Sequence, residues 1–113
     1  MILEKTKVQK IIDEIFIYLQ HMGAENITIN YKENPDSFAI DFVSDYAAAK
    51  EYMIKTLNKY LCVARQAEME SYYWELAGMY SDDTGLALIG MMTDEVDISY
   101  ENGTLEIKIL RLK

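Results

Sequence analysis

Cysteine is nearly absent from this chain. A single Cys62 cannot close an internal disulfide, which excludes the cross-linked secreted scaffolds of this size and makes a reducing cytosol the expected compartment. The two N-x-T triplets, Asn26-Ile27-Thr28 and Asn102-Gly103-Thr104, mean nothing without a secretory route. Proline and glycine are scarce too: one Pro, Pro35, and five Gly punctuate 113 residues. No repeat, low-complexity stretch or Ser/Gly linker marks a boundary, so one domain spanning 1–113 is expected. No apolar run approaches the roughly 20 residues of a membrane span; the longest, Leu86 to Met92, is short and contains Gly90. With no charged, apolar, small-residue signal at the start, a soluble cytoplasmic protein is expected. Basic residues are outnumbered, 11 Lys plus Arg against 19 Asp plus Glu for a net charge of −8. A surface that negative repels a phosphate backbone, so nucleic acid is not an expected partner. Apolar residues, at 50% with three Phe, nine Tyr and one Trp, suffice for a core and exclude a disordered chain.

Periodicity supplies the elements. Val8, Ile11, Ile12, Ile15, Phe16, Leu19 and Met22 recur at three- and four-residue steps, which predicts a helix over 5–22 with one buried face, closed by Gly23 as its C-cap. Ile27, Ile29 and Tyr31, then Phe38, Ile40 and Phe42, alternate with other residues on either side of Glu33-Asn34-Pro35-Asp36, predicting strands over 26–32 and 37–43. Ser44 and Asp45 are candidate N-caps for a long helical region, Tyr46 to Tyr80, broken near Tyr60 to Ala64. Ser81-Asp82-Asp83-Thr84 precedes a short helix over 85–93, with its acids at the favourable end of the dipole. Val96, Ile98 and Tyr100, the hairpin signal Asn102-Gly103, and Leu105, Ile107 and Ile109 predict strands over 95–100 and 104–111. The order predicts an α+β fold, a two-layer sandwich with helices on one face of a four-stranded mixed sheet. The other face stays polar or meets a partner.

The C-terminal third carries a family resemblance. Thr84-Gly85-Leu86-Ala87-Leu88-Ile89, Met92-Thr93-Asp94-Glu95-Val96-Asp97-Ile98 and Asn102-Gly103-Thr104-Leu105-Glu106-Ile107 resemble the end of a Bergerat-fold (GHKL) ATPase domain. The likeness is greatest to anti-sigma-factor serine kinases and their histidine-kinase-like relatives. The opening helix with Glu14, followed by a hairpin, is similar as well. The resemblance implies a histidine-kinase-like ATPase fold, Mg-ATP as cofactor of an active member, and Glu14, Asp45 and Gly85 as its surviving nucleotide-binding residues.

The nucleotide motifs depart from that pattern. Four residues after its Glu the family carries an Mg²⁺-ligating Asn, where this chain has Tyr18; a phenol is a poor ligand for that ion. The family's Asp-x-Gly-x-Gly becomes Asp45-Tyr46-Ala47-Ala48-Ala49, which loses the permissive glycine backbone. The second glycine box shrinks to Gly85, with Asp82 and Asp83 before it competing with phosphate for the helix dipole. Tyr18 and Ala47 to Ala49 are therefore expected in the space that a relative gives to Mg²⁺ and adenine.

Each candidate also has a plainer reading. Glu14 reads as a solvated helix residue, Asp45 as an N-cap, Asp82 and Asp83 as capping acids rather than metal ligands, His21 as a solvated residue at a helix end, and Cys62 as a small buried hydrophobe. No catalytic residue and no metal site is expected. Tyr72, Tyr73 and Trp74 span about a full helical turn with Ser71 and cannot all face one core, so they are read either as a partner surface or as packing against the sheet. Two functions remain. One is a non-catalytic regulatory or protein-interaction domain, without a cofactor, whose partner is a sigma factor or an antagonist protein and which also forms a homodimer. The alternative is an active ATP-binding serine kinase of the anti-sigma-factor type.

Overall fold

A computed structural model of the chain describes residues 4–63, 65, 86 and 89–113. Helix α1 (Glu4–His21) is followed by strands β1 (Ile27–Glu33) and β2 (Ser37–Asp45), a single 3-10 turn (Ala48–Lys50), helix α2 (Met53–Leu61), and strands β3 (Glu95–Glu101) and β4 (Thr104–Leu112). The four strands form one sheet in the order β1-β2-β4-β3. All three pairings are antiparallel, so the sheet is not mixed as expected. Both outer strands join the centre through hairpins, and hairpins pair antiparallel.

Local chemistry explains the boundaries. Gly23, at φ 84°, closes α1 with a Schellman motif: its N–H donates to the Gln20 carbonyl and that of Ala24 to Leu19, at 3.0 and 3.1 Å. Asn102 and Gly103, at φ 52° and 79°, make the two-residue turn between β3 and β4. The long helix expected from Tyr46 does not begin there. β2 runs on to Asp45, and α2 starts at Met53 with Tyr52 at its N-cap. Ser44 and Asp45 are strand residues because they continue the ladder opposite Leu105 and Thr104. α2 ends at Leu61, within the stretch where the break was expected. Leu86, Ile89 and Gly90 are helical, within the short helix expected there.

One core joins the helices to the sheet. Val8, Ile11, Ile15 and Leu19 of α1 pack in the same cluster as Phe38, Ile40 and Phe42 of β2 and Leu105, Ile107 and Ile109 of β4. One expectation about α1 is corrected: Phe16 is 37% exposed, while Tyr18, not counted on the buried face, is 5% exposed and part of the core. Tyr18 lies seven residues, close to two turns, after Ile11 and so shares its stripe. The inward row of β4 ends in Arg111, which is fully buried. Its Nε and Nη2 each donate to a Glu4 carboxylate oxygen at 3.0 Å, and Nη1 donates to the Met92 carbonyl at 2.6 Å. The opposite face carries Asn30, Asp41, Lys108 and Asp97 in one row across the four strands.

Candidate functional site

The segment after β2 straps the C-terminal end of α1. Buried Tyr18 donates its hydroxyl to the Met53 carbonyl at 2.8 Å, which ties the last turns of α1 to the start of α2. Ala47 N–H donates to Met22 O at 2.9 Å, and Lys50 Nζ donates to His21 O at 2.7 Å. A Cβ added to Gly23 would stand 2.8 Å from the Ala47 Cβ. Helix C-terminal carbonyls carry partial negative charge and attract a lysine. That polarity is the reverse of a phosphate-binding helix start.

Asp45 is committed elsewhere. Its Oδ1 accepts the backbone N–H groups of Glu25 and Asn26 at 2.8 and 3.0 Å, and its Oδ2 accepts Asn26 Nδ2 at 3.0 Å. These donors, the Asn26 side chain foremost, hold its carboxyl below the usual aspartate range. Asp45 is therefore not the N-cap expected of it, and both of its carboxylate oxygens are engaged by residues 25 and 26. It fastens the loop that leads from α1 into β1. Beyond it, Tyr46 donates its hydroxyl to Glu51 Oε1 at 2.8 Å, and this bond raises the phenol's pKa and keeps the proton on oxygen.

Glu14 pairs with Lys10, one turn earlier on the same helix, at 3.1 Å. The hollow lined by Glu14, Ile17, Tyr18 and His21 measures about 10 Å³, against roughly 300 Å³ or more for ligand pockets. The structure does not bring Glu14 and Asp45 to a common ligand: one serves Lys10 and the other the 25–26 backbone. His21 is exposed at the helix end, as expected. Cys62 is exposed rather than buried, its Sγ donating to Asn58 Oδ1 at 3.0 Å. It follows Leu61 at the C-cap of α2, where the chain leaves the buried face. Gly85, Asp82, Asp83, Tyr72, Tyr73 and Trp74 lie outside the described residues.

No family model matches this sequence, and no curated protein matches it. Among the described residues, no group of three or more His, Cys, Asp or Glu could hold a metal ion, and no helix is long and apolar enough to cross a membrane.

Sequence reasoning missed two groups. Arg111 extends the alternation of Leu105, Ile107 and Ile109 onto the inward face, and a cation at an apolar position was the signal for a buried guanidinium with a carboxylate partner. Asp94 Oδ2 accepts from both Arg65 Nη1 and the Leu112 N–H, at 2.7 and 2.6 Å. This clamp joins residues far apart in the chain and left no local pattern.

Proposed function

We propose that this chain is a non-catalytic regulatory or protein-interaction domain on a Bergerat-like scaffold, in which the nucleotide apparatus has become structural. The observation that carries the reading is the hydrogen bond from Tyr18 to the Met53 carbonyl, 2.8 Å long and at the position where the resemblance expects an Mg²⁺-ligating Asn. The Asp45 carboxylate, engaged by residues 25 and 26, and the lysine on the α1 C-terminus support it, since each uses up a place or a charge that nucleotide binding needs. The resemblance further implies a protein partner, a sigma factor or an antagonist protein. The partner surface in this reading is Tyr72, Tyr73 and Trp74, on the sequence argument that three adjacent large aromatics cannot share one internal face.

A thermal shift with Mg-ATP tests it. Ligand at 100 times its dissociation constant stabilises a protein by about 2.7 kcal/mol, so the expected result is no change in melting temperature at millimolar Mg-ATP. A clear rise, matched by micromolar binding in calorimetry, would overturn this reading in favour of the active kinase.

A further inference from the structure

The two edges of the sheet differ in chemistry. At the β1 end, Asp45 N–H donates to Asn26 O at 3.3 Å and Asn34 N–H donates to Ser37 O at 2.8 Å. Backbone groups alternate sides along a strand, so Thr28, Asn30 and Lys32 turn their N–H and C=O groups toward β2. The same groups of Ile27, Ile29, Tyr31 and Glu33 point outward. Among the described residues, β1 pairs with β2 only. A row of free donors and acceptors is a template for another strand.

Self-pairing is blocked at β3 and open at β1. In β3, the two-residue turn at Asn102-Gly103 makes Glu101 and Thr104 a hydrogen-bonded pair, so the outward backbone groups belong to Val96, Ile98 and Tyr100. A two-fold axis at Ile98 would oppose Glu95 to Glu101 twice; moving it to Asp97 or Ser99 opposes Asp97 to itself or to Glu101. Like charges directly opposite one another destabilise strand pairing. In β1, an axis at Asn30 opposes Ile29 to Tyr31, Ile27 to Glu33, Thr28 to Lys32 and Asn30 to itself. No like charges meet, and every outward backbone group finds a partner. Apolar surface lies along the same edge. Tyr31 is 47% exposed, and a hollow of about 470 Å³ opens between α1 and β1, lined by Val8, Ile12 and Tyr31 among others.

We propose that the β1 edge pairs with β1 of a second copy of this chain, antiparallel about a two-fold axis at Asn30, joining two four-stranded sheets into one. The interface stands independently of the regulatory reading above. Each copy carries a net charge of −8, a repulsion that added salt screens, so association strengthens as ionic strength rises.

Sedimentation equilibrium of the full chain and of Asn30→Lys provides the test. In its own sheet residue 30 faces Asp41, so a lysine there suits the monomer, while in the dimer two lysines oppose each other. The expected result is a concentration-dependent dimer whose dissociation constant rises about fivefold or more in Asn30→Lys, with an unchanged far-UV spectrum. Asn30→Cys in a Cys62→Ser background reads the geometry directly. A non-hydrogen-bonded antiparallel pair places Cα atoms about 4.5 Å apart, within disulfide reach, so mild oxidation should yield a covalent dimer. Ser99→Cys in the same background should not. A wild-type chain that stays monomeric up to about 1 mM, a dimer indifferent to Asn30→Lys, or cross-linking through position 99 instead of 30 would each overturn the interface.

Discussion

Arg111 shows how much one side chain depends on its partners. Its guanidinium is fully buried, and the Glu4 carboxylate meets it with two 3.0 Å hydrogen bonds. Glu4→Ala is expected to cost about 2 kcal/mol, the usual size for hydrogen bonds to a charged group, read as a lower urea midpoint at unchanged slope. Asp45 sets a pH dependence. Hydrogen bonds depress its folded-state pKa below the unfolded value, so its contribution is complete above the unfolded pKa and is lost as pH falls through the folded one. Glu33, held down by Lys113 at 2.8 Å, acts with the same sign. The acid loss of stability, beginning at about pH 5, should be shallower in Asp45→Asn, which carries no titrating carboxyl there. Urea midpoints measured between neutral and acid pH check this.

At the scale of elements, close approach and strapping govern stability. A Cβ on Gly90 would stand 2.2 Å from the Tyr60 carbonyl oxygen and 3.2 Å from the Leu61 Cα. Both obstacles are backbone, so the end of α2 would have to move. Gly90→Ala is therefore expected to cost about 1–3 kcal/mol, even though alanine favours helix. The strap over α1 gives a second case. Tyr18→Phe keeps the ring in the core and removes only its hydrogen bond to Met53, so it should cost about 1 kcal/mol. Tyr18→Asn also leaves a cavity where the ring was and should cost about 3 kcal/mol or more. Thermal melts of the two variants should keep that order; equal effects would mean that the ring contributes nothing to the core.

At the scale of the whole molecule, the surplus of acid is the dominant long-range term. A net charge of −8 on 113 residues favours the expanded chain through self-repulsion, which salt screens over about 10 Å at 0.1 M. Stability is expected to rise between low and moderate NaCl concentration, with the urea slope unchanged.

Much of the fold was legible in the residues because it depends on local rules. The three- and four-residue period of α1, the alternation of four strands, the left-handed positions at Gly23 and Asn102-Gly103 and the end of α2 follow from stereochemistry within a few residues. The start of α2 was misread because Ala47, Ala48 and Ala49 are good helix formers, while the β2–β4 ladder claims the chain as far as Asp45. Of the candidate site, the sequence singled out Tyr18, Asp45 and Ala47 to Ala49 but not their contacts. What those residues do depended on contacts between distant segments. Tyr18 reaches Met53, Asp45 reaches Asn26, Arg111 reaches Glu4 and Asp94 reaches Leu112. The sequence by itself determined element type and the polarity of each face, because backbone sterics and hydrophobic period act over single turns and strands. Only the tertiary structure decided which polar groups are consumed, because a buried donor or acceptor takes whatever partner the folded chain brings within about 3 Å.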